Sequence, residues 1–208
     1  MAVLVAGANG RTGKEVVRRL VRRGYEVKAM VRRQETALPL EDMGAKVVVA
    51  DLKYTFEYAL DGCNEVISAV GAGVNGDPEE VDHQGVVKLI EAAQKRNIRR
   101  FILISSLGTA DAHKMSGPLK PFLEAKRKAE EVLEASELDY TIIQPGGLTD
   151  GRETGHVEAA KQLDRRGTIS RADVALVATE ALRTGYASKK TFEVLAGEVK
   201  VDEALRRL

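Results

Sequence analysis

Residues 7–13 read GANGRTG, so that Gly7, Gly10 and Gly13 fall between the apolar run at residues 2–6 and the amphipathic run that follows them. A strand, a glycine turn and a helix in that order leave few architectures open, because the strand must be covered on both faces and the helix must return over it. The same alternation continues along the chain. Residues 26–31, 46–50, 65–70, 101–105 and 140–143 are short, rich in Val and Ile and near-continuously apolar, which predicts buried strands. Val16, Val17, Leu20 and Val21 form one apolar stripe at helical spacing, and Val86, Val87, Leu89, Ile90 and Ala93 form another. Further helices are expected near residues 121–135 and 172–183, and a late strand at 191–195. The pattern predicts an α/β fold: a doubly wound parallel sheet of the Rossmann kind, with helices on both faces.

The 208 residues fit a single domain, residues 1–208, in which residues 146–190 are expected to supply a minimal substrate-side wall after the cofactor-binding part. Lys and Arg number 32 against 31 Asp and Glu, a balance without the basic footprint of a nucleic-acid or membrane-surface binder. A small-molecule partner is the expectation. Cys63 is the only cysteine, so no internal disulfide framework exists, and the apolar start resembles neither a signal peptide nor a membrane span. A cytoplasmic location follows as an expectation. The stretches at 71–77 and 108–119 read as loops following strands, at the sheet edge where ligands bind in such folds.

The glycine loop has a specific chemistry. The first glycine permits a tight turn, the second lets a pyrophosphate approach the backbone, and the third lets the helix pack closely, while the helix N-terminus attracts phosphate. Asn9, Arg11 and Thr12 are placed to line that group. The segments GANGRTG, MVRR (30–33), VVVADL (47–52), FILISSLG (101–108), LDYTIIQPGGLTD (138–150) and ISRADVA (169–175) resemble the atypical and extended short-chain dehydrogenase/reductase families. The resemblance is strongest to the NmrA-like, flavin and biliverdin reductase-like and epimerase-like NAD(P)-binding proteins. It implies an adenine border at Asp51 and Leu52, ribose and phosphate contacts at Gly71 and Ala72, a nicotinamide-facing hydroxyl at Ser105 or Ser106, and a nicotinamide cover at Pro145 and Gly146. Asp51 could instead cap a helix beginning near Tyr54. At the end of the second strand, where an acidic residue would select NAD, the chain has Arg32 and Arg33, which predicts NADP(H) through pairing with the 2′-phosphate.

Catalysis is less directly written. Family members often carry a Tyr-x-x-x-Lys pair; here the corresponding residues are Phe122 and Lys126, so the acid/base hydroxyl is missing and the lysine is retained. Lys126 is expected to bind ribose hydroxyls, with a charged helix surface shared with Arg127 and Lys128 as the alternative, and Ser106 is the preferred hydrogen-bond donor to substrate. Gln144 stands where the family commonly has Arg. His156 is the only imidazole in the expected wall at 150–166, and His83 and His113 have no sequence partner that suggests a metal or triad site. The leading expectation is an NADPH-dependent reductase of a small acceptor. The alternatives are a non-catalytic NADP(H) sensor acting on a protein partner and a nucleotide-sugar epimerase or dehydratase.

Overall fold

The computed structural model describes residues 2–73 and 75–208; Met1, and Val74 within the loop expected at 71–77, lie outside the described residues. In chain order the elements are β1 (Ala2–Ala6), α1 (Arg11–Arg22), β2 (Glu26–Val31), α2 (Leu38–Glu41), β3 (Lys46–Val49), β4 (Cys63–Ser68), α3 (Val86–Lys95), β5 (Arg100–Ile104), α4 (Lys120–Glu134), β6 (Asp139–Pro145), β7 (Gly147–Thr149), β8 (His156–Ala160), β9 (Thr168–Ser170), α5 (Arg171–Thr184), β10 (Lys190–Ala196), β11 (Val199–Lys200) and α6 (Val201–Arg206). Nine strands form one sheet in the order β11-β8-β10-β6-β5-β4-β1-β2-β3. From β10 to β3 every pairing is parallel, and β8 and β11 add an antiparallel edge.

Strand pleating divides the interior into two cores. Val3 and Val5 point to one face, where Val16, Val17 and Leu20 of α1 and Val174 and Val177 of α5 cover them. Leu4 and Ala6 point to the other, against Leu89 and Ile90 of α3 and Ala129 and Leu133 of α4. Each fully buried Leu, Ile or Val contributes about 1.5–3 kcal/mol, so the two layers fix the sheet rigidly beneath its loops. The chain runs from β1 outward to β3, then returns to place β4 on the other side of β1. Loops therefore diverge above the carboxyl ends of β1 and β4, and a crevice opens there.

Two expectations need correction. The run at 46–50 is not buried on both faces: β3 is the edge strand, paired only with β2, and Val49 is 37% exposed. No helix begins near Tyr54. The chain instead turns, with the Tyr54 amide donating to the Asp51 carbonyl and the Lys53 amide to Asp51 Oδ1, before a short 3-10 turn at Glu57–Leu60. Within 150–166 the chain forms β8, paired with β10 and β11, and within 108–119 it forms 3-10 turns at Thr109–Lys114. HVEAA carries a single β-branched residue, so β8 is specified by its partners more than by its own sequence.

Candidate cofactor and acceptor site

Gly7 has φ +75°, and a Cβ on it would lie 2.6 Å from the Ala69 carbonyl oxygen at the end of β4. Only glycine fits there. A Cβ on Gly13 would come within 2.2 Å of the Gly7 carbonyl oxygen, so this position sets how closely α1 sits on the loop. Gly10 caps α1 with extended backbone and no side-chain hydrogen bond, and its neighbour Asn9 is exposed. The first amides of α1 thus face the crevice uncapped, which suits a phosphate.

Eight of the residues expected at the cofactor come together in one cleft of about 230 Å³: Gly7, Asn9, Gly10, Arg32, Arg33, Asp51, Leu52 and Gly71. Arg32 and Arg33 are exposed, and among the described residues neither has a carboxylate within ion-pairing distance. Thr36, Lys53, Glu80 and Val81 also line the cleft and were not foreseen. Lys53 and Glu80 meet at 2.6 Å, and this contact raises the Lys53 pKa. An open phosphate cradle, an apolar slot beside Leu52 and Val81, and two free guanidiniums fit a dinucleotide.

Arg11, Thr12, Gly13, Ala72 and Lys126 do not line this cleft. Arg11, expected at the phosphates, instead donates to Asp150 Oδ2 at 3.0 Å, and Asp150 also receives Arg171 at 2.6 Å. A carboxylate at the end of β7 lies within its reach and takes the charge. Thr12 is half-buried in the first turn of α1.

Lys126 is not on a charged surface. It is 6% exposed, its ammonium lies 2.9 Å from Asp82 Oδ1 and 3.5 Å from the Val70 carbonyl oxygen, and the Phe122 ring covers it with its centroid 5.1 Å away. Asp82 Oδ2 accepts the Ala72 amide at 2.8 Å. Ala72, expected beside the cofactor ribose, is therefore held by Asp82. The signal for Asp82 was present in the sequence: it lies on the apolar stripe of the helical segment leading into α3, four residues before Val86 and seven before Leu89, where a carboxylate requires a buried partner.

A second, larger pocket of about 750 Å³ collects Ser105, Ser106, Phe122, Pro145 and Gly146 with the segment 162–167 and Arg171. Of residues 146–190, Gly146, Gly147, Leu148, 162–167 and Arg171 line this pocket, and most of α5 is buried against the α1 layer. His156 is outside this pocket, with Nδ1 2.8 Å from the Thr154 carbonyl oxygen. Ser106 is half-buried, its hydroxyl making a long 3.3 Å contact with the Leu107 carbonyl oxygen. Ser105 is turned away from the nicotinamide position expected for it: its hydroxyl donates to Glu130, which also accepts from Thr109 and from Gln144 Nε2 at 3.0 Å. Gln144, at the family's arginine position, belongs to this buried cluster. Burial pushes the Glu130 carboxyl pKa up against these donors.

The chain matches the model of a family described as NAD(P)H-binding over residues 7–184. It belongs to that NAD(P)H-binding family. It is 38% identical to the uncharacterized sugar epimerase YhfK of Bacillus subtilis (strain 168), with 100% of both chains covered. A Bacillus halodurans structure, assigned by name to the NAD-dependent epimerases/dehydratases, superimposes with a TM-score of 0.96 at 37% identity and covers 100% of both chains. The oxidoreductase ylbE of Lactococcus lactis gives 0.89 at 30% identity, covering 100% of this chain and 96% of that one. Among the described residues no helix is long and apolar enough to cross a membrane, and no group of three or more His, Cys, Asp or Glu side chains is placed to hold a metal ion.

Proposed function

We propose that the chain is an NADPH-dependent reductase that passes hydride to a small oxidised acceptor in the second pocket. The observation that carries this reading is the pair Arg32 and Arg33, exposed and without a carboxylate partner at the end of β2, where a 2′-phosphate would sit. Gly10 and the uncapped start of α1 seat the pyrophosphate. Pro145 and Gly146 cover the nicotinamide, Ser106 offers the hydroxyl nearest the acceptor, and Lys126, buried against Asp82 and the Val70 carbonyl, fixes the adjoining loop. The bound nicotinamide supplies the hydride; the chain supplies position and exclusion of water.

Relatives named as epimerases share the cofactor chemistry, but epimerisation calls for the acid/base hydroxyl that Phe122 lacks. A non-catalytic sensor is favoured by one feature: Asp150 joins Arg11, on the glycine loop, to Arg171, at the start of α5, so an arriving phosphate that drew Arg11 away would alter an exposed segment. Equilibrium titration with NADPH followed by absorbance assays at 340 nm across quinones, flavins and small carbonyls separates the readings. Tight binding with oxidation supports the reductase, and tight binding without oxidation in any of these classes supports the sensor.

A further inference from the structure

We infer that the second pocket selects an apolar, conjugated ring of fused-ring size, of the quinone class, over a polyhydroxylated substrate. This inference rests on the reductase reading above and names its acceptor.

The pocket's volume of about 750 Å³ suits a ligand of two or three rings. Its walls are Leu107, Met115, Leu119, Phe122, Leu148 and Leu163. Two of these, Leu119 at 60% and Leu148 at 37%, are among the few large apolar side chains left exposed in the protein. Several of the polar groups around the walls are already engaged. Arg171 pairs with Asp150 at 2.6 Å, Asp111 with Lys114 at 2.7 Å, and Arg165 Nε with Glu158 at 2.9 Å, while Glu193 accepts the Leu163 amide at 2.6 Å. Ser105 is committed to Glu130. Ser106 lines the pocket with a weakly held hydroxyl, and Gln162, Asp164 and Arg166 line it as exposed side chains.

A sugar with its hydroxyls desolvated against leucines would leave several polar groups unpaired, each at a cost of about 1–3 kcal/mol. A ring that is apolar on both faces loses nothing by entering, and one carbonyl can meet Ser106. The reaction balances as NADPH, a proton and quinone giving NADP⁺ and quinol. The C–H bond at the nicotinamide would break, its hydrogen and electron pair passing to one quinone oxygen to form the first O–H, and a proton from water would form the second. The ring's own π system takes the developing charge, so the hydroxyl missing at Phe122 is not required.

The test is calorimetric titration of the protein, free and NADP⁺-loaded, with 2-methyl-1,4-naphthoquinone and with UDP-glucose, for wild type, Leu119→Ser and Leu148→Ser. Both side chains are exposed, so the variants should fold, and unchanged urea midpoints check this. The expected result is naphthoquinone binding that weakens about tenfold in each variant, with no UDP-glucose binding. UDP-glucose binding, no naphthoquinone binding, or naphthoquinone binding equal in all three proteins overturns the inference. NADP⁺ failing to bind would defeat the reductase reading, whereas the titrations of free protein would still decide the pocket's preference.

Discussion

Lys126 and Asp82 place opposite charges 2.9 Å apart where neither side chain reaches solvent to any useful extent, on two different helical segments. Breaking such a pair from one side strands a buried charge, which typically costs about 3–5 kcal/mol. Lys126→Met and Asp82→Leu should each lower stability by that amount in urea unfolding. The double variant should lose less than the sum of the two single losses, with a coupling of about 1–3 kcal/mol. Strict additivity would show that the two charges do not stabilise one another.

Gly13 and Gly10 separate folding from binding within one loop. A Cβ on Gly13 would meet backbone at 2.2 Å, so Gly13→Ala should cost about 1–3 kcal/mol and impair NADPH binding together with stability. At Gly10 the nearest atom is the Gly7 carbonyl oxygen at 3.2 Å, and the rest of the space is open to the crevice. Gly10→Ala should leave stability within about 1 kcal/mol while weakening NADPH. Paired thermal-melt and binding measurements distinguish the two; equal behaviour would contradict the assignment of Gly10 to the phosphate seat.

Glu130 gives a pH dependence of definite sign. Burial raises its pKa above the ordinary 4.5, so between that value and the raised one the folded state holds more protons than the unfolded state. Its contribution to stability is therefore best at low pH and diminishes as pH rises through this window. Glu130→Gln removes the buried charge, and Ser105 and Thr109 can reorient to accept from the new amide. The stability of the variant relative to wild type should increase as pH rises above 4.5 in urea unfolding. A difference that stays constant, or moves the other way, contradicts a buried carboxylate with a raised pKa.

The fold was legible because strand burial and helical stripes are local: β1, β2, α4 and α5 lie within one or two residues of where the sequence places them, and α1 carries the stripe of Val16, Val17 and Leu20. Edge status was not, since the burial of β3 depends on what stands beside it and KVVV reads like a central strand. The cleft was largely legible through the glycine spacing and Arg32–Arg33. Arg11 and Ser105 were not, because each is redirected by a carboxylate far away in sequence, Asp150 and Glu130 respectively. Asp82 and Glu130 were detectable as acidic residues on apolar helix stripes. Which partner each would meet depends on how α4 crosses the segment at Glu79–Gly85 and the end of β6, and that is tertiary information.

In the proposed function Arg32 reads the 2′-phosphate of NADP(H) in the crevice at β1 and β4. The most direct measurement is equilibrium titration of wild type and Arg32→Ala with NADPH and with NADH. A charge-assisted contact to the 2′-phosphate contributes about 1.5–3 kcal/mol, so wild type should prefer NADPH by at least tenfold. Arg32→Ala should lose most of that preference, with NADH affinity and the urea midpoint unchanged because the side chain is exposed and unpaired. Equal affinity for the two cofactors in wild type, or a preference that survives the substitution, would contradict the account.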